Sequence, residues 1–84
     1  MIWITEAKYY KEYQIWVKFN DNKEMIVDLT HHLDGEIYKP LNDKKFFSKV
    51  KLNRDTDTIE WSNGADYAPE FLYGIGKEIP FTVK

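Results

Sequence analysis

Thr58-Ile59-Glu60-Trp61-Ser62-Asn63-Gly64-Ala65-Asp66-Tyr67-Ala68-Pro69-Glu70-Phe71-Leu72-Tyr73 decides how this chain closes on itself. A short β-branched run ends in a tryptophan, a polar Asn-Gly turn follows, and a proline opens a segment rich in aromatics. Thr58 to Trp61 reads as a strand. Asn63-Gly64 is the place for a positive φ, because glycine reaches it without a Cβ clash. Asp66 is the expected N-cap of the next helix, accepting from N–H groups that have no helical partner. Pro69 suits the first turn, whose N–H is free in any helix. The helix is expected over about 68–73, with Phe71 and Leu72 turned to the core and Gly74 as its stop.

Working outward, Tyr13 to Phe19 is the clearest strand. Tyr13, Ile15, Val17 and Phe19 fall on one face at period two, with Gln14, Lys18 and Asn20 on the other. Trp16 is the anomaly, a large ring on the polar face. Asn20-Asp21-Asn22-Lys23 is a strong turn, since Asn and Asp tolerate positive φ and bond their own backbone. Glu24 to Leu29 alternates again. Ile2 to Tyr9 reads as a strand with imperfect alternation, joined to the next by Tyr10-Lys11-Glu12, so three strands form an antiparallel meander.

Thr30 to Leu41 loses periodicity and holds Gly35 and Pro40, a loop or partial helical turn. Residues 42–49 predict a short helix capped by Asn42 or Asp43, with Phe46, Phe47 and Val50 as its apolar stripe. Val50 to Asn53 and Thr58 to Trp61 predict a second hairpin across Arg54-Asp55-Thr56-Asp57. From Lys77 onward Ile79, Phe81 and Val83 alternate, but Pro80 restricts this tail to an edge strand or a loose end. The fold class is therefore α+β: a small antiparallel sheet, a three-stranded meander plus a second hairpin, with two short helices. Residues 1–76 are expected to form the single domain and 77–84 its tail or edge strand. The predicted core is Tyr13, Ile15, Val17, Phe19, Val27, Phe47, Ile59, Trp61, Phe71 and Leu72.

Composition narrows the function classes. At 84 residues the chain is one domain and buries only about 60% of its unfolded surface. Aromatics make up 17%, and large rings supply much apolar area per side chain in a small core. The absence of cysteine removes disulfides, thiolate catalysis and Cys-based zinc sites, and fits a reducing, cytoplasmic compartment. A formal net charge of −2 leaves no basic excess for unspecific nucleic-acid binding. The start meets Glu6 with no basic n-region, and no apolar run approaches ~20 residues, so neither a signal peptide nor a membrane span is expected.

The chemistry-bearing residues have adequate structural roles. His31-His32 with Asp28, Asp34 and Glu36 is the best metal candidate, but neighbours in extended chain point opposite ways, and solvated loop residues are the preferred reading. Asn53, Asp55 and Asp57 have the spacing of a calcium loop without its glycine and distal glutamate, so a hairpin turn is expected. Glu60, Asp66 and Glu70 are the candidates for paired carboxylates, and only burial would tune them for acid–base work. No nucleophile elbow and no glycine-rich phosphate loop occurs. The candidate contact residues are Trp16, Asn63 and Asp66; metal ligands, cofactors and catalytic residues are not expected.

The chain as a whole resembles the prokaryotic family of domain of unknown function 2442. The resemblance covers about residues 1–74. It is carried by Ile15-x-Val17-x-Phe19 before the Asn20–Lys23 turn, by Val27-Asp28-Leu29, by Pro40-Leu41 with Phe46-Phe47, and most specifically by Thr58 to Asp66 with Pro69-Glu70-x-Leu72-Tyr73. Asn22 stands where members usually have glycine and Ser62 where proline is common; both fit the same turns. The resemblance implies a small α+β domain without established catalytic residues. Some members precede a helix-turn-helix, and others are encoded beside a second small protein in an arrangement that looks like a toxin–antitoxin pair. These 84 residues leave no room for a helix-turn-helix, so direct nucleic-acid binding is not expected. The expectation is a non-enzymatic interaction module, antitoxin-like, whose partner is a protein or a second copy and not a membrane. The alternative is a regulatory domain associated with nucleic acid through a partner or dimer, and an enzyme is third.

Overall fold

A computed structural model describes residues 1–79. Three strands follow one another, β1 (Ile4–Lys11), β2 (Gln14–Phe19) and β3 (Glu24–Asp28). A 3-10 turn (Lys39–Asn42), α1 (Lys44–Phe47), the hairpin β4 (Lys51–Asn53) and β5 (Thr58–Glu60), α2 (Pro69–Ile75) and β6 (Lys77–Glu78) complete the order. The fold is α+β, with an antiparallel four-stranded sheet in the order β1-β2-β3-β6 and a separate two-stranded hairpin.

The meander keeps the expected register, with Ile15 opposite Val27 and Val17 opposite Met25. Its inner face, Ile15, Val17, Phe19, Met25, Val27 and Leu29, is buried. The imperfect alternation of β1 has a physical cause. Ile4 pairs with Phe19 and Ala7 with Val17, and the register slips between Ile4 and Glu6. Such a bulge moves the inward residues from even to odd positions. β1 runs on to Lys11, so the reversal falls at Glu12, whose φ is 48°. Tyr13, expected in the strand, sits in this turn and is half-buried; its hydroxyl donates to the carbonyl of Asn42.

The core closes around Trp61. Its side chain is 1% exposed, and its indole Nε1 donates to the Phe47 carbonyl at 2.9 Å. That carbonyl belongs to α1, which is capped by Asp43 accepting from the Lys45 N–H at 3.1 Å. The Trp61 N–H donates to the Ala65 carbonyl at 2.9 Å, and Gly64 between them takes φ +92°. The Asn-Gly turn thus forms where sequence places it.

Two expectations for the next segment fail. The N-cap of α2 is Ala68, and no side chain caps the helix. Asp66 lies two residues before the cap, in an isolated bridge with Glu60, and makes no capping bond. The helix also runs past Gly74 to Ile75, and Gly76 closes it, donating to the Leu72 carbonyl at 2.9 Å. A Cβ at Gly76 would lie 3.0 Å from the Leu72 carbonyl oxygen and 2.9 Å from Met25 Sδ, so a side chain there would be tight against both the helix end and β3. Leu72 is buried, whereas Phe71 is 37% exposed and not a core residue. β6 then runs along β3, and the Ile79 N–H donates to the Glu24 carbonyl. The rest of the expected tail strand, with Pro80, Phe81 and Val83, lies outside the described residues. Among the described residues no helix is long and apolar enough to cross a membrane.

Gly64→Val is expected to cost about 1–2 kcal/mol, the left-handed backbone penalty. Asp66→Ala should stay within about 0.5 kcal/mol of wild type, as a surface substitution away from any cap. Urea denaturation of both variants checks this; an equal loss for Asp66→Ala would reveal a capping role after all.

A candidate aromatic hollow between the 30–38 loop and helix α2

The residues weighed for chemistry from the sequence scatter over the fold. Trp16 is half-buried on the outer sheet face, where its Nε1 donates to Glu24 Oε1 at 3.2 Å. Asn63 is exposed and acts as a clasp. Its Nδ2 donates to the Ile37 carbonyl at 2.9 Å, and its Oδ1 accepts from the Ala65 N–H at 3.1 Å. Glu60 accepts from Asn53 Nδ2 at 2.9 Å, while Glu70 is exposed in the first turn of α2. Glu60 and Asp66 are partners in an isolated bridge, and none of the three carboxylate residues is buried.

Of the metal candidates, Asp28 and Glu36 are engaged by other partners. Asp28 Oδ1 accepts from the Thr30 N–H at 2.9 Å and from its hydroxyl at 2.6 Å. These bonds, the hydroxyl's first, hold the Asp28 carboxyl below its usual range. Glu36 reaches Lys39 at 3.9 Å. Asn53 Oδ1 accepts from the Asp55 N–H at 2.8 Å, and Asp57 takes φ 57°, as a hairpin turn requires. Among the described residues no group of three or more His, Asp or Glu side chains gathers for one ion.

His32, Asp34 and Asp66 do converge, together with three aromatic rings. A hollow of about 420 Å³ is lined by His32, Asp34 and Tyr38 of the 30–38 loop and by Asp66, Tyr67, Ala68 and Phe71 at the start of α2. Its volume falls in the roughly 300–1,000 Å³ range of ligand pockets. Tyr38 and Tyr67 stack with ring centroids 4.9 Å apart, and Tyr67 stacks on Phe71 at 5.8 Å. The His32 ring stands edge-on to Phe71 at 5.1 Å.

Both phenols are committed to backbone. Tyr67 donates to the His32 carbonyl at 2.6 Å, and Tyr38 to the Asp66 carbonyl at 2.9 Å. Thr58 Oγ1 donates to the Tyr67 carbonyl at 2.6 Å, fixing the tyrosine from below. Burial, and next the neighbouring Tyr38, push the Tyr67 phenol well above the usual tyrosine range. The site therefore offers ring surface, an imidazole and the exposed carboxylates of Asp34 and Asp66.

Of the three contact residues read from sequence, Asp66 lines this hollow. Asn63 braces it by holding the loop at Ile37, and Trp16 stands on another face. The sequence does not single out Tyr38 or Tyr67, it places Phe71 in the core, and it offers His32 and Asp34 only as metal candidates. None of them shares a periodic pattern, and Tyr67 meets His32 across 35 positions, so only the sequence positions themselves were legible.

Fold and site define a small α+β domain carrying a preformed aromatic hollow of ligand size. The chain belongs to the family described as "Protein of unknown function (DUF2442)", whose profile matches residues 4–78. No curated protein and no solved structure matches the chain.

Tyr67→Phe removes the bond to the His32 carbonyl and should cost about 1 kcal/mol at pH 7. The folded phenol has a raised pKa, so wild type keeps its full advantage below the ordinary tyrosine value of 10.0. It loses that advantage as pH climbs through the folded value. Urea titrations at neutral pH and above about pH 10 should show the gap between wild type and Tyr67→Phe closing at alkaline pH.

Proposed function

We propose that this chain is a non-enzymatic protein-interaction module and that the hollow between the 30–38 loop and α2 is its contact surface. One observation carries the reading: Phe71 stays 37% exposed in a hollow whose two tyrosine rings are held by bonds to backbone carbonyls. Rigid aromatics at the centre of a concave surface are what dominate protein interfaces, because they lose little entropy on binding. The chemistry available supports binding over turnover. Both hydroxyls in the hollow are donating to carbonyls, and the carboxylates that line it are exposed, without the burial that tunes acids and bases. The partner is a small protein in an antitoxin-like arrangement, a role supported by the resemblance to family members encoded beside a second small protein.

A second reading rests on the outer sheet face. Lys8, Trp16, Ile26 and Lys77 lie opposite one another across four strands. That row is the contact surface that a regulatory domain associated with nucleic acid through a partner or dimer would use.

Co-expression with the neighbouring gene product, followed by calorimetric titration of the purified proteins, tests the two. Phe71→Ala should weaken the complex by at least about tenfold while the domain still melts cooperatively, and Trp16→Ala should leave affinity unchanged. The reverse pattern would move the interface to the outer sheet face.

A further inference from the structure

The two chain segments that supply the wall of the hollow carry one sign of charge along the sequence. The segments that line it lie between Lys23 and Lys39 and between Arg54 and Lys77. The first carries Glu24, Asp28, Asp34 and Glu36, and the second Asp55, Asp57, Glu60, Asp66 and Glu70, with no Lys or Arg in either. Lys39, at the end of the loop, is itself paired with Glu36 at 3.9 Å. The hollow thus combines aromatic surface with carboxylates, and among the described residues no Lys or Arg lines it. An anionic ligand would meet like charge there. A purely apolar one would strip water from Asp34 and Asp66 without compensation.

We infer that the hollow is a receptor for the guanidinium of an arginine presented by the partner protein. The inference rests on the hollow being the contact surface proposed above. The planar cation packs against the exposed part of the Phe71 ring, where the ring quadrupole attracts it, and its fork of N–H donors turns to Asp34 and Asp66. Arginine fits this better than lysine. Its charge is spread over a flat, weakly hydrated group that stacks and forks at once, whereas an ammonium is a compact, strongly hydrated point. The Tyr38 and Tyr67 hydroxyls are spent on backbone carbonyls, so their rings stay in place whether or not a guest is bound. The acidic lining segments also draw a basic partner toward this side before contact, which raises the association rate more than the final affinity.

The test is an NMR titration of the full ¹⁵N-labelled chain with three acetylated, amidated tripeptides, Gly-Arg-Gly and its lysine and citrulline counterparts. Citrulline keeps the shape of arginine and removes the charge. The arginine peptide is expected to shift the amides of His32, Asp34, Asp66 and Phe71 saturably. The lysine peptide should bind more weakly, and the citrulline peptide weaker by about tenfold. The Asp34→Asn, Asp66→Asn double variant should lose the arginine response with unchanged melting. Equal binding of citrulline or of lysine, or shifts centred elsewhere, overturns the guanidinium receptor. If no peptide perturbs the hollow while Phe71→Ala still disrupts the complex with the partner, this inference fails and the interaction reading stands. If the arginine peptide binds but the complex ignores Phe71→Ala, the interaction reading fails and takes this one with it. Arg54 is the chain's own arginine. Self-association abolished by Arg54→Ala would seat a second copy in the hollow and overturn a separate partner.

Discussion

The hydrogen bond from the Trp61 indole to the Phe47 carbonyl, 2.9 Å long and buried, is the contact on which the other parts of the structure depend. Burying a ring of this size contributes about 5 kcal/mol of gross transfer free energy, but only if its N–H finds an acceptor in the dry interior. The last residue of α1 supplies that acceptor. A helix of four residues has no stability of its own, so α1 persists because Trp61 and the sheet hold it. Phe47 in turn packs on Trp61, with ring centroids 5.4 Å apart, and on Tyr13 at the same distance. One indole therefore joins the hairpin, the short helix and the edge of the meander.

The hollow follows from the same constraint. Trp61 ends its strand facing inward, and the chain must reverse at once, which it does through Gly64 with φ +92°. The reversal leaves Tyr67 edge-on to Trp61 at 6.0 Å. From there its hydroxyl crosses to the His32 carbonyl, and the 30–38 loop is pinned along α2. Asn63 adds a second tie at Ile37. A loop with no periodic pattern thus becomes a wall of fixed shape, because its backbone carbonyls satisfy donors from the central turn and from the start of α2. Phe71 remains outside this network and stays 37% exposed.

At the opposite end of α2 the helix is held by a different set of contacts. Tyr73 packs edge-on to Phe19 at 4.9 Å, and its hydroxyl donates to Asp21 Oδ2 at 2.6 Å. That bond is the main reason the Asp21 carboxyl is held below its usual range. Gly76 then lets the chain pass Met25 closely enough to add β6 to the sheet. The helix bearing half of the hollow is therefore anchored through its far end to the β2–β3 turn, so the site's geometry depends on residues far from it.

The sequence by itself determined the parts of this protein set by local rules. Period-two alternation placed β2 and β3 and their buried faces, Asn-Asp chemistry placed the turn at Asn22, Asn42 or Asp43 marked the start of α1, and Gly64 marked the reversal after Trp61. These signals act between near neighbours in the chain and need no knowledge of the rest. Tertiary structure alone decided the bulge that shifts β1, the loss of a capping role for Asp66, the end of α2 at Gly76 instead of Gly74, and the exposure of Phe71. Each of those depends on what a distant segment presents at contact distance: Met25 beside Gly76, Phe19 and Val17 beside β1, the 30–38 loop beside Phe71. The hollow belongs wholly to this second group. His32, Tyr38, Tyr67 and Phe71 carry no pattern that relates them. They become one surface only when hydroxyls from separate segments reach backbone carbonyls across the fold.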